Sequence, residues 1–146
     1  MRQVHADISG YLISSEAGFI ESENPHVQVK EYIYNMPDLL AAADVVVCRS
    51  GAITLAELAV QGKCAILVPS PNVTNDHQNY NARAFSDIGA AKIIDESNLS
   101  GDLLKKEIYA LLDDENARHE MEEKARTLAV YDSNERIYEV LKSIIK

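Results

Sequence analysis

The run Val45-Val46-Val47-Cys48 passes directly into Arg49-Ser50-Gly51 and then into Ala52-Ile53-Thr54-Leu55-Ala56-Glu57. A short β-branched apolar run reads as a strand buried on both faces. Residues 52–60 read as a helix, and Gly62 stops it. A second apolar run, Cys64-Ala65-Ile66-Leu67-Val68-Pro69, follows at once. Strand, helix and strand at this spacing form one βαβ unit, which makes the two strands parallel. That confines the chain to an α/β fold, a parallel sheet flanked by helices.

The same stretch carries chemistry. A helix N-terminus presents unpaired N–H groups and a partial positive charge, which suits an anion. Gly51 lacks a Cβ, so a ligand can approach its backbone closely. Thr54 and Glu57 are three apart and share one helix face. A hydroxyl in the first turn suits a phosphate. A carboxylate one turn deeper suits two adjacent sugar hydroxyls, as in ribose.

The rest of the chain fits around this unit. Residues 1–24 are the least readable, with 8–13 a candidate strand and Gly10 and Gly18 candidate turns. Val27-Gln28-Val29 alternates as a short strand. Pro37 starts a helix over 38–43, since proline is tolerated in the first turn. Residues 69–76 form a polar loop leaving the carboxyl end of a strand, where open α/β sheets bind ligands. His77 opens a helix to about residue 88, capped by Gly89. Residues 90–94 read as a third strand. Helices follow over 101–112, 116–129 and 133–145, the first with Leu103, Leu104, Ile108 and Leu111 inward. His77 and Gln78 invite two readings, general-base chemistry by His77 or hydrogen bonding to sugar hydroxyls. An amide such as Gln78 both donates and accepts. His5, His26 and His119 lack ligand spacing and read as surface residues.

Composition excludes some classes. The net charge of −9 argues against a nucleic-acid binder, whose footprint is basic. A phosphate ligand remains compatible, because a helix end and one arginine can override net charge locally. Cys48 and Cys64 make no disulfide framework and read as buried free thiols of a reducing cytoplasm. The sequence has no apolar run long enough for a transmembrane helix and no signal-peptide pattern. No cluster of carboxylates suggests a metal.

The motif Arg49-Ser50-Gly51-Ala52-Ile53-Thr54-Leu55-Ala56-Glu57 resembles the nucleotide-sugar motif of the family 28 glycosyltransferases of peptidoglycan synthesis. Pro69-Ser70-Pro71, His77-Gln78, Asn81-Ala82-Arg83-Ala84 and Gly89-Ala90-Ala91 continue the resemblance in order and spacing, from about Val27 onward. It implies a Rossmann-like sheet, the C-terminal, donor-binding half of a GT-B enzyme, with the whole chain as one UDP-sugar-binding domain. The glycine-serine loop usual near the start of that domain is not found in 1–24, so the start reads as divergent or truncated. The implied reaction is inverting transfer of N-acetylglucosamine from UDP to lipid I, giving lipid II at the cytoplasmic side of the membrane. The implied donor contacts are Tyr32 and Ile33 on uracil, Arg49, Ser50, Gly51, Ala52, Ile53, Thr54 and Glu57 on the nucleotide, and His77, Gln78 and Asn81 toward the sugar. Asn81 bracing the loop instead is the alternative at that position. No catalytic base and no cofactor are implied within this chain. Beside this reading stand another GT-B transferase using UDP-N-acetylglucosamine and a non-catalytic nucleotide-binding module.

Overall fold

A computed structural model of the chain describes residues 10–13, 26–30 and 32–145. The chain falls into two units, Met1–Met36 and Pro37–Lys146. In the first, β1 (Gly10–Ile13) and β2 (Val27–Lys30) pair in parallel, with Gly10 opposite Val27 and Ile13 opposite Lys30. The alternation expected for the second strand appears as alternately half-buried and exposed residues. His5, Gly18 and the first two residues of the expected 8–13 strand lie outside the described residues.

The second unit carries the βαβ arrangement. The elements are α1 (Met36–Ala42, entering from the first unit), β3 (Val46–Cys48), α2 (Ala52–Gln61), β4 (Ala65–Leu67), α3 (His77–Ser86), β5 (Lys92–Ile93), α4 (Gly101–Leu112), α5 (Glu115–Arg126) and α6 (Ser133–Ile144). The strands β3, β4 and β5 lie side by side in sequence order, all parallel. Cys48 lies opposite Leu67, and Leu67 opposite Ile93, so the three carboxyl ends finish level.

Burial corrects one expectation. β3 is not covered on both faces: Val47 is 40% exposed. Among the described residues β3 pairs on one side only, so it stands at an edge of the three-stranded sheet. The strand buried throughout is β4, in which every residue is buried. Its Ile66 and the flanking Cys64 and Val68 pack with Ile94, Leu111 and Met121, against Leu103, Leu104 and Ile108. The inward face expected for α4 is thus the face that meets the sheet. Cys48 and Cys64 are free, and burial pushes both thiols up to about 11. α6, by contrast, leaves Ile137, Tyr138, Val140, Leu141 and Ile144 exposed.

Helix ends follow the sequence signals within two residues, except that α5 stops at Arg126, three residues before the expected 129. Gly62 stops α2 in the left-handed conformation at φ 59°, while its N–H and that of Lys63 return to Ala59 O and Leu58 O. This is the glycine-terminated hydrogen-bond pattern that satisfies the last carbonyls. α4 and α5 begin on side-chain caps, Ser100 accepting from Leu103 N–H and Asp114 from Ala117 N–H. Lys63 Nζ caps the end of α1 through Ala41 O and Ala43 O, at 2.8 and 3.1 Å.

Gly62 gives a test. A Cβ there would collide with the Arg126 guanidinium carbon, in a left-handed backbone. Gly62→Ala is expected to cost about 1–2 kcal/mol through αL strain and displacement of Arg126. Gly101→Ala, where a Cβ meets nothing within 4 Å, is expected to be neutral or to stabilise by up to about 1 kcal/mol. Urea denaturation measures both, and equal effects would refute the assignment of strain to Gly62.

Candidate functional site

Parallel pairing sends the turns after β3, β4 and β5 to one edge of the sheet. Arg49, the first residue after β3, ties those turns together. Its Nη1 donates to Val68 O at 3.1 Å and to Pro69 O at 3.4 Å, beyond β4. Nη1 and Nη2 also donate to the two carboxylate oxygens of Glu96, beyond β5, at 3.1 and 2.8 Å. A planar fork matched to a carboxylate is the geometry that arginine, and not lysine, provides. The Glu96 bond raises the Arg49 pKa, and the Arg49 bond lowers that of Glu96. The arginine expected to offset the negative net charge is therefore already partnered by a carboxylate. The uncapped starts of α2 and α3 lie at this same edge.

Ser50 comes next and is completely buried. Its Oγ donates to Gln78 O at 2.8 Å, and its own carbonyl accepts from Asn81 Nδ2 at 3.1 Å. The turn before α2 is thus stitched to the first turns of α3. Asn81 braces this turn, which is not the polar loop of residues 69–76.

α2 then starts at Gly51, with no side chain capping it and no acidic residue in its first turn. A bare helix start leaves N–H donors for water or for a ligand. Gly51 has φ −67°, an ordinary backbone, and a Cβ on it would meet only Thr54 Oγ1, at 3.9 Å. Neither backbone strain nor packing among the described residues requires glycine here. Ala52 and Ile53 are exposed, Ile53 by 78%, and Thr54 is half-buried. Glu57 is exposed one turn below Thr54. It neither caps its own helix nor pairs with Arg49, whose partner is Glu96.

The polar loop reaches α3 through two residues in the left-handed region, Asn75 at φ 56° and Asp76 at φ 54°. Asp76 accepts from the Asn79 side chain. His77 is exposed, and its Nδ1 lies 2.8 Å from Thr74 O. A carbonyl only accepts, so Nδ1 carries the proton in that bond and Nε2 faces away from it. Gln78 Oε1 accepts from Ser70 N–H at 3.0 Å. Ser50, Gly51, Thr54, Gln78 and Asn81 are thus brought into one neighbourhood. Tyr32 and Ile33 belong to the first unit, where Tyr32 is 66% exposed and stands edge-to-face with Tyr34 at 4.9 Å, and Ile33 is buried.

Sequence reading missed Glu96 and gave Ser70, part of the motif Pro69-Ser70-Pro71, no role of its own. Each is joined to the motif only by tertiary contact, although a carboxylate just beyond the third strand was a usable signal. Among the described residues no cluster of His, Cys, Asp or Glu could hold a metal ion, and no helix is long and apolar enough to cross a membrane.

A Rossmann-like parallel sheet with a bare helix start at its carboxyl edge is the build of a GT-B nucleotide-sugar domain. The chain belongs to the glycosyltransferase family 28 C-terminal domain family, which matches residues 9–137. It is 45% identical over 126 residues to the UDP-N-acetylglucosamine–N-acetylmuramyl-(pentapeptide) pyrophosphoryl-undecaprenol N-acetylglucosamine transferase of Acetivibrio thermocellus, covering 86% of this chain and 34% of that one. Against the like-named transferase 1 of Bacillus cereus it is 43% identical over 124 residues, 84% of this chain and 34% of the relative. The crystal structure of Acinetobacter baumannii MurG superposes with a TM-score of 0.73 at 33% identity, over 80% of this chain and 33% of that one. The kitacinnamycin glycotransferase shares the fold, with a TM-score of 0.70 at 21% identity, over 90% of this chain and 33% of its own. The chain spans about a third of the length of these relatives.

The Arg49–Glu96 pair predicts a pH dependence. A carboxyl whose pKa is lowered in the fold adds stability above its unfolded pKa and loses it as pH falls through the folded value. Wild type is expected to melt above Glu96→Gln at neutral pH. The gap closes as acid carries the pH through and below the ordinary carboxylate range. Melting curves of both proteins against pH check this, and a gap that persists unchanged in acid would refute it.

Proposed function

We propose that the chain binds UDP-N-acetylglucosamine and is the donor-binding half of an inverting N-acetylglucosaminyltransferase that converts lipid I to lipid II. The observation that carries this reading is the uncapped N-terminus of α2, with Thr54 and Glu57 on one face at the sheet's carboxyl edge. The names of the relatives supply the donor and acceptor classes.

In this reading all 146 residues act as one UDP-sugar domain. The diphosphate rests on the N–H groups of Ala52, Ile53 and Thr54, with the Thr54 hydroxyl beside them. Gly51 lets it come close. Glu57 accepts from the two ribose hydroxyls, since a carboxylate offers acceptors only. The Tyr32 ring covers uracil, and the Ile33 backbone reads its edge. Gln78, with His77 beside it, meets the sugar. As the bond to the sugar breaks, charge grows on the departing UDP, and the preorganised helix end stabilises it. No residue here is assigned as the base. The base and the acceptor groove belong to the part of the longer relatives that this chain does not span, so the chain alone is expected to transfer no sugar. The whole protein works peripherally on the cytoplasmic face of a bacterial membrane.

Saturation-transfer NMR with UDP, UDP-N-acetylglucosamine and NAD tests the donor assignment. Signals from the first two and none from NAD are expected, and the reverse would overturn it.

Two substitutions sharpen the site. Glu57→Ala is expected to weaken UDP about ten- to a hundredfold, the scale of charge-assisted hydrogen bonds. 2′,3′-Dideoxy-UDP, lacking both hydroxyls, should bind wild type and Glu57→Ala equally, and equal losses for both ligands by calorimetry would take Glu57 out of the ribose site. Gly51→Ala should fold normally, since alanine in place of a capping glycine costs no more than about 1 kcal/mol. It should nonetheless weaken UDP by about tenfold or more, because the added Cβ occupies space the diphosphate needs. Unchanged affinity would place the diphosphate away from Gly51.

A further inference from the structure

The bonds around Ser50 form a closed brace. Ser50 Oγ holds the backbone carbonyl of Gln78, Asn81 Nδ2 holds the backbone carbonyl of Ser50, and Ser70 N–H holds Gln78 Oε1. Ser50 is completely buried, and its hydroxyl is spent inside the protein. Asn81 is half-buried, with its amide nitrogen turned to the Ser50 backbone. Both side chains thus bond to backbone carbonyls within the protein. The brace also fixes which end of the Gln78 amide faces outward. A backbone N–H must meet an oxygen, so Ser70 holds Oε1 and leaves Nε2 as the end with no hydrogen-bond partner among the described residues.

We propose that Ser50 and Asn81 are positioning residues for sugar recognition: they lock the start of α3 to the turn before α2, so that Gln78 offers its amide NH2, a donor, at a fixed distance from the diphosphate. The proposal rests on the donor-binding reading above. It deepens that reading by assigning the sugar-facing group as donor-only, a match for an acceptor oxygen on the hexose. The physical reason is geometric. Nucleotide and sugar are covalently joined, so the two helix starts that hold them must keep one spacing, and small displacements at a binding constellation forfeit its interactions. Two short polar side chains, Ser50 and Asn81, set that spacing here.

The test is the ratio of UDP-N-acetylglucosamine affinity to UDP affinity, measured by titration calorimetry on the 146-residue chain. Wild type, Ser50→Ala, Asn81→Ala, Gln78→Ala and the double variant Ser50→Ala/Gln78→Ala are compared, each with its melting curve. Both brace variants should lower the ratio by about fivefold or more, the scale of one hydrogen bond. In the double variant Ser50→Ala should add nothing to the effect of Gln78→Ala, because residues acting through one another are non-additive. Gln78→Glu adds an orientation check: its carboxylate still accepts from Ser70 N–H but has no donor for the sugar, so it should lower the ratio as far as Gln78→Ala does. A ratio unmoved in both brace variants, or full additivity in the double variant, would overturn the proposal while leaving the donor reading intact. Wild type that binds neither UDP nor UDP-N-acetylglucosamine would instead sink the donor reading, and the proposal with it. Should Ser50→Ala lose cooperative melting, Asn81→Ala decides. Loss in both would overturn the proposal, since the brace would then be a requirement for folding and not for recognition.

Discussion

The guanidinium of Arg49 holds the carboxyl edge of the sheet in one piece. The strands that end there are short, three residues in β3 and β4 and two in β5. Strands this short make few ladder bonds, so the turns leaving them need other ties. Arg49 reaches Val68 O and Pro69 O beyond one strand and Glu96 beyond the next. Ser50, one residue on, fastens α3 to the same turn. With these ties in place, α2 and α3 start side by side at the edge where the loops open.

The electrostatics of that edge follow. The chain carries a net −9, yet its candidate anion site depends on a much more local field. Exposed charges more than about 8–10 Å away are largely screened at physiological salt. What remains is the starts of α2 and α3, neither of which has a side-chain cap. The contrast of α2 with α4 and α5 is chemical: in those helices Ser100 and Asp114 side chains each accept from one first-turn N–H, and α2 begins on a glycine with no side chain to do so. Arg49 ties the turns of this edge together, with the Glu96 carboxylate paired to its guanidinium.

Function at such a site divides between residues that meet ligand and residues that hold those in place. Thr54 and Glu57 lie accessible on α2. Ser50 and Asn81, in the same two motifs, face the protein. A sequence motif does not separate the two groups, since both are short polar residues at fixed spacing. Hydrogen bonding separates them: the Ser50 and Asn81 side chains are tied to backbone carbonyls across the turn, and among the described residues those of Thr54 and Glu57 are not, a difference that packing sets.

The sequence by itself determined the βαβ order, the parallel sheet, the helix stopped at Gly62 and the inward face of α4. Each of these is local: an apolar period, a glycine that alone adopts φ 59° cheaply, a crossover length that forces strand direction. The motif residues around the start of α2 were legible for the same reason, since a glycine turn between strand and helix is written in consecutive residues. Tertiary structure decided the remainder. It left β3 partly exposed while β4, an apolar run of the same kind, is covered throughout, because neighbouring elements decide burial and apolar content alone does not. It gave Arg49 to Glu96, 47 residues away, and turned Ser50 and Asn81 inward. Those pairings depend on which chain ends the sheet brings level, and a contact between residues distant in sequence leaves no periodic trace along the chain.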